Sequence, residues 1–308
     1  MKLDKTNAFF QELQTVNHVY THSGKFHADD VFSFALLRIL NPDIQVHRVN
    51  EVLPEHKGII FDIGWGEFDH HQKDAKVREN SVPYAAFGLL WKQAGTAFFT
   101  QKAADKFDEK FIQPLDLNDN TGEPDTIAAL IGDFNPAWNQ KKDLQEEFLK
   151  AADFAEKILV HKIEHIQSNE VAKDIVEPYV KSAQDGILVL DQYVPWRKAI
   201  ENTSVAFVVF PSDRGGYNAM TVKDDVTKEA KIDFCEEWYG KSKEELIRLS
   251  NVATLRFCHK AGFLIATDNK EDAIMACKLS INAQTPALKW KKKLKFIKMS
   301  LLTKKVKR

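Results

Sequence analysis

The chain has 308 residues, 44% hydrophobic and 28% charged, which is ordinary globular composition with enough apolar side chain for a large core. No apolar run nears the roughly 20 residues that span a bilayer; the start lacks a signal peptide's apolar stretch; and three cysteines without CxxC spacing argue against a disulfide framework or zinc–thiolate site, so a cytoplasmic location is expected. Net charge is −1, but residues 289–308 hold ten basic and no acidic side chains, leaving 33 basic against 44 acidic, −11, over the rest.

Seven of ten histidines fall within the first 71 residues, which suggests a site there. "HVYTH" (18–22) is a short β-rich run. "DDVFSFALLRIL" (29–40) is apolar on most sides and reads as a buried helix, stopped by Asn41-Pro42. "IQVHRV" (44–49) alternates like a strand, and "GIIFDIG" (58–64) resembles a buried parallel strand between glycines. "PYAAFGLLWKQAG" (83–95) reads as helix. This alternation predicts an open, mostly parallel sheet covered by helices.

Residues 125–184 are helical in character, and 141–166 fit one long amphipathic helix beginning its stripe at Leu144, Phe148 and Ala151/Ala152. Candidate strands follow at 186–191, 204–210, 217–222, 254–259 and 263–267, and 270–283 closes with a helix. The fold class is α/β. An N-terminal mostly parallel domain (1–125) precedes a helical connector (126–184), a smaller α+β domain (185–288) and a basic tail (289–308).

Four separated pieces carry potential metal ligands. They are His22, His27 and Asp29 in "THSGKFHADD"; Asp62 in "GIIFDIG"; Asp69-His70-His71; and Asp116 and Asp119 in "DLNDNTG". The first two lie where a strand yields to a loop, and in open parallel sheets ligands gather outside the strands' carboxyl ends. Imidazole and carboxylate without thiolate suit Mn²⁺, Co²⁺, Fe²⁺ or Zn²⁺. There are more ligands than one ion needs, and Asp62 is the candidate bridge between two ions. Each piece alone has a plain reading: Asp29 and Asp30 suit a helix start, and "DLNDNTG" is good turn chemistry.

Through "THSGKFHADD", "FDIGWGEFDHHQ", "LDLNDNTG", "FNPAWN", "ILVLDQYVPW" and "FCHKAGFL", in order over about residues 20–282, the chain resembles the DHH phosphoesterase superfamily. More specifically it resembles the melanocyte-proliferating-gene-one family of metal-dependent exonucleases. The resemblance implies a DHH-type catalytic domain holding two divalent ions, Mn²⁺ first, with Mg²⁺, Co²⁺ or Zn²⁺ as alternatives. It implies a C-terminal domain closing over substrate, and hydrolysis of RNA from its 3′ end. Carried over by position, His22, His27 and Asp62 would hold one ion. Asp29, Asp62 and His70 would hold the other, with Asp119 completing the set. Asp69 and His71 become the catalytic candidates, orienting ligands or touching phosphate. Lys25, Arg214 with Gly215-Gly216, and His259 with Lys260 are candidate phosphate contacts, although "DRGGYN" reads equally as a hairpin turn. Three departures stand out. Lys25 replaces a small hydroxyl residue, Asp30 replaces a glutamate, and the segment between Asp62 and Asp69 is shorter than in eukaryotic relatives.

Trp290, Leu294, Ile297 and Leu301 place one apolar stripe on the lysine-rich tail. Such a helix packs on the protein's own acidic body, or sits on nucleic acid, an anionic membrane or a partner groove. A homo-oligomer is compatible with the sequence. The leading function is a two-metal phosphodiesterase acting on RNA or short oligonucleotides. The alternatives are a hydrolase of a small phosphate such as pyrophosphate or a nucleotide, favoured by the acidic body, and a non-catalytic metal-binding scaffold.

Overall fold

Val19 and Thr21 of strand β1 (His18–His22) are fully buried, while His18, Tyr20 and His22 point to the opposite, half-buried face. The computed structural model containing this strand describes residues 1–283. The basic tail and its stripe lie outside the described residues. The fold is α/β, and internal contacts divide the chain into two units, residues 1–168 and a second beginning at Asn169.

In the first unit β1 is the middle of three parallel strands, flanked by β2 (Gln45–Val49) and β3 (Ile59–Ile60). His18 pairs with Gln45 and His22 with Val49, while Tyr20 faces Ile60. The strand expected over 58–64 is shorter. After Phe61 the backbone turns left-handed at Asp62 (φ 56°), Gly64 (φ 88°) and Trp65 (φ 59°), which a strand cannot contain.

Helix α1 (Ala8–Leu13) buries Phe9, Phe10 and Leu13. Helix α2 (Ala28–Leu40) buries every residue except Arg38, as its apolar girth requires, and ends at Asn41 before Pro42. Phe32 of α2 stacks on Phe87 of α3 (Ala86–Phe98) and meets Phe111 edge-on. Then come α4 (Gln101–Phe107), α5 (Gln113–Thr121) and α6 (Thr126–Gly132). "DLNDNTG", read from sequence as turn chemistry, is instead the end of α5. Pro114 starts this helix and left-handed Gly122 stops it, the usual polarity of those two residues. Asp116, Asp119 and Asn120 therefore share one helical face.

Helix α7 (Leu144–Lys181) runs 38 residues, past the 166 expected. Phe148, Ala152, Ala155, Leu159 and Ile163 pack into the first unit's core, whereas Ala172 and Val176 join an apolar cluster of the second. A fresh apolar stripe thus prolongs the helix where the first one runs out.

The second unit holds a five-stranded mixed sheet of β4 (Ile187–Val189), β5 (Phe207–Pro211), β6 (Tyr217–Thr221), β7 (Phe257–Cys258) and β8 (Leu264–Thr267), in the order β4–β5–β6–β8–β7. Only β4 and β5 run parallel. Phe207, Val209, Ala219 and Ile265 face one cluster with residues of α8 (Lys243–Ser250) and α9 (Lys270–Ala283). Leu188, Val208 and Phe210 face the other. Among the described residues no helix is long and apolar enough to cross a membrane.

Candidate metal centre

His22 closes β1, and Asp62 lies two residues after β3, so both sit at the carboxyl ends of parallel strands. His27 precedes α2, whose first turn carries Asp29 and Asp30. The loop after Asp62 brings Asp69, His70 and His71, and α5 brings Asp119. Side chains from all these segments line a pocket of about 700 Å³ or lie just beneath it.

Asp62 is the shared member. Its Oδ2 lies 3.1 Å from His22 Nε2, and its Oδ1 lies 3.1 Å from His70 Nε2. Asp30 Oδ2 is 3.2 Å from the same His22 nitrogen, and Asp30 Oδ1 accepts the His27 backbone N–H at 2.9 Å. His70 Nε2 is also 3.2 Å from Asp119 Oδ2 and 3.6 Å from Asp29 Oδ2. His27 Nδ1 is 3.7 Å from Asp119 Oδ1. Three groups have ligand atoms close enough to share an ion: His22–Asp30–Asp62, His27–Asp29–Asp119 and Asp62–His70–His71. This grouping differs from the split that the resemblance implied. His27 falls with Asp29 and Asp119 because it caps α2 and faces α5, and Asp30 takes a place beside His22.

Four carboxylates crowd this small volume, and among the described residues no lysine or arginine pairs with any of them. Burial, reinforced by the charges of Asp62 and Asp119, pushes the Asp29 carboxyl well above the usual range. Burial also raises Asp30, against the opposing pull of His22. For Asp62, burial works against ionisation, but hydrogen bonds from His22 and His70 outweigh it and hold the pKa at about 2. The same balance raises His22 to about 10, where Asp30 and Asp62 overcome the cost of burial, and it raises His70.

The residues fit divalent ions on a direct observation. Both Asp29 oxygens are buried and accept no hydrogen bond. A carboxylate taken out of water without partners is strongly disfavoured unless it coordinates a cation. Imidazole and carboxylate donors without thiolate match borderline or hard dications.

Asp69 anchors the loop rather than joining the cluster. Its Oδ2 accepts the Trp65 N–H at 2.6 Å, and its Oδ1 accepts the His71 N–H and lies 2.7 Å from His71 Nδ1. His71 is largely exposed, with Nδ1 3.8 Å from Asp62 Oδ1. Asp116 does not reach the pocket. It lies buried under α5, where Arg78 donates to its Oδ2 at 2.7 Å and Gly88 N–H to its Oδ1 at 3.2 Å.

Lys25 is exposed on the loop between His22 and His27. The other proposed phosphate contacts belong to the second unit, and there they separate. Arg214-Gly215-Gly216 form the β5–β6 turn, beyond the Tyr217–Thr267 pair. His259-Lys260 form the β7–β8 turn, beyond the Met220–Leu264 pair at the opposite end of the sheet. The Gly215 N–H donates to Ser212 O, and the Ala261 N–H donates to His259 Nδ1 at 3.0 Å. Both groups are engaged in closing their own turns.

Three contributors escaped sequence reading. Asp30 reads in the sequence as a helix-start acid. Asn120, whose Oδ1 lies 3.3 Å from His70 Nδ1, sits within "DLNDNTG", where an asparagine is ordinary turn chemistry. Asn135 of "FNPAWN" clamps the loop before His27 by exchanging hydrogen bonds with the Phe26 backbone in both directions.

Fold and site together define an α/β protein with a buried histidine–carboxylate cluster at the ends of parallel strands, able to hold metal ions. The family is also clear. The MYG1_exonuc model, described as an uncharacterised protein family (UPF0160), matches residues 18–281, and the chain belongs to that family. It is 25% identical to a MYG1 exonuclease of Bos taurus, covering 87% of this chain and 85% of the relative. It is 27% identical to a MYG1 protein of Schizosaccharomyces pombe (83% and 94%) and 25% identical to one of Chlamydia muridarum (88% and 99%). No solved structure matches the chain.

Proposed function

We propose that the protein is a metal-dependent phosphodiesterase of exonuclease type, with RNA or short oligonucleotides as substrate and a DHH-type first domain. The observation that carries this reading is Asp62, which offers one oxygen toward His22 and Asp30 and the other toward His70. That is the arrangement a carboxylate shared between two ions needs. The name exonuclease borne by the Bos taurus relative supports the reaction class.

In this reading His22, Asp30 and Asp62 would hold one ion, probed first as Mn²⁺. Asp29, Asp62, His70 and Asp119 would hold a second, with His27 beside it. When bound, such ions would lower the pKa of water and neutralise charge on a phosphoryl group. Asp62 keeps the two sets of donors in register. Asn120 fixes the His70 ring through Nδ1, so that Nε2 points into the cluster. Asp69 holds His71 by Nδ1 and leaves Nε2 to pass a proton to the departing oxygen. Lys25, exposed on the loop between His22 and His27, would add attraction for phosphate.

His27→Ala and Asp62→Ala are expected to abolish Mn²⁺-dependent hydrolysis of oligonucleotides while circular dichroism is unchanged. Full activity with both replaced overturns the reading. A second reading, hydrolysis of a small phosphate, is favoured by the −11 charge outside the tail, which suits a long polyanion poorly. Turnover of pyrophosphate, dinucleotides and 20-mers compared side by side decides between them.

A further inference from the structure

Trp65 stands at the apex of the loop that joins Asp62 to Asp69, and it lines the same pocket as His22, His70 and His71. It is 71% exposed, so the indole forgoes burial while remaining against the candidate catalytic groups. Its backbone is left-handed (φ 59°), a conformation that a bulky side chain rarely adopts. Strain of this kind persists only where neighbouring structure enforces it, and it gathers at functional sites.

Here the enforcement is visible. The Trp65 N–H donates to Asp69 Oδ2 at 2.6 Å. The Asp62 N–H donates to Phe68 O at 3.0 Å and closes the loop at its base. Phe68 packs edge-on against Phe9 of the core, 5.8 Å between ring centres. Gly64 is obligatory before Trp65, since a Cβ there would sit 2.7 Å from Val52. A loop bonded shut at its base, with Asp69 gripping its apex, holds the ring out instead of letting it fold inward.

We infer that Trp65 is a specificity-determining residue, the platform on which the nucleobase next to the reacting phosphate stacks. The inference rests on the phosphodiesterase reading and narrows its substrate to compounds that carry a base. The chemistry is direct. The pocket floor carries the groups that would meet the phosphate, and the rim carries one large π surface with no ring partner among the described residues. A nucleotide presents phosphate and π surface joined through a sugar, whereas pyrophosphate has no counterpart for the ring. Stacking of a base on an aromatic side chain accepts every base, so Trp65 would select for a nucleoside without selecting among sequences.

The test is calorimetric binding with Mn²⁺ present, using AMP and ribose 5-phosphate as probes. They share the phosphate and sugar and differ in the base. Trp65→Ala is expected to weaken AMP about 5- to 150-fold, the range one stacked base contributes, and to change ribose 5-phosphate less than about twofold. Trp65→Phe is expected to restore most of the AMP affinity. Ribose 5-phosphate binding doubles as the check that the pocket has kept its shape. Equal weakening of both probes, or no weakening of AMP, overturns the inference. In parallel, wild-type hydrolysis of a dinucleotide tests the underlying reading. If no phosphoester is cleaved but AMP discrimination depends on Trp65, the stacking platform stands and the phosphodiesterase reading falls.

Discussion

Asp62 Oδ1 and His70 Nε2 lie 3.1 Å apart in the lining of the pocket, and the other Asp62 oxygen is equally far from His22. One side chain therefore couples ligands from a strand end and from the loop eight residues on. Asp62→Asn keeps the shape but gives one oxygen position to an amide that cannot accept. We expect it to lower Mn²⁺-dependent hydrolysis by more than about 100-fold, beyond the 10- to 100-fold typical of residues that merely support a ligand. The thermal midpoint in chelator should change by only a few degrees. Steady-state kinetics and a melt of the same sample check both halves.

The pKa shifts fix the sign of a pH dependence in chelated protein. His22 is raised from 6.5 to about 10, so its contribution to stability is whole below 6.5 and is lost as pH climbs through 10. Asp29, raised by burial, acts in the same sense, because its charged form is disfavoured in the folded state. Asp62, lowered to about 2, contributes steadily above 3.8 and loses its part only as pH falls through 2. In EDTA the melting temperature is therefore expected to fall between pH 6.5 and 8.5. Metal binding must displace these protons, so the stabilisation by added Mn²⁺ should grow over the same interval. Melts in EDTA and in MnCl₂ at several pH values read this directly, and a constant metal-induced shift contradicts it.

What could be read in the sequence follows from what each residue type announces. His22, His27, Asp62 and the Asp69-His70-His71 run stood out because histidines at the ends of β-rich runs have few structural uses, and the pocket collects them all. Asp30 was hidden by its neighbour. An acid beside Asp29 at a helix start has a sufficient local use, yet both are buried in the first turn and both reach histidines. Helix α5 was hidden by its composition, since Asp, Asn and Thr favour turns until Pro114 and Gly122 are weighed as start and stop signals. Trp65 left no local mark except glycines on either side, because its exposure comes from a left-handed backbone enforced by a residue four positions away.

Asn120 tests whether orientation of a ligand matters here as much as its identity. Its Oδ1 meets His70 Nδ1, while its Nδ2 donates to Tyr84 O and Asp116 O, so the amide cannot turn freely. Asn120→Ala leaves every proposed ligand in place but frees the His70 ring. We expect a 10- to 100-fold loss of Mn²⁺ affinity, by analogy with other residues that orient ligands. Asn120→Asp, which keeps the acceptor, should lose less. Metal titration followed by calorimetry separates the two.

Beneath that amide lies the arrangement that holds α5 in place. Arg78 donates to both oxygens of Asp108, at 2.8 and 2.6 Å, and to Asp116 at 2.7 Å, with its guanidinium 3.8 Å above the Tyr84 ring. Burial pushes Asp116 up to about 7 even with Arg78 beside it. Arg78→Met strands two acids, one fully buried, and removing one partner of such a network costs about 3–5 kcal/mol. At roughly 2–4 °C per kcal/mol for a unit of this size, the melting temperature should fall by about 6–20 °C. Combining it with Asp116→Leu removes the stranded carboxylate and should recover part of the loss, which a double-mutant cycle measures. Gly88→Ala attacks the same point by sterics, since its Cβ would lie 1.9 Å from Asp116 Oδ2. Asn120 Nδ2 donates to the backbone oxygen of Asp116, so a shift of the first turns of α5 forced through the Asp116 side chain would tilt the amide that aims His70. Gly88→Ala should therefore weaken Mn²⁺ binding as well as stability. A variant that melts early but binds Mn²⁺ normally would disconnect this buried network from the metal centre.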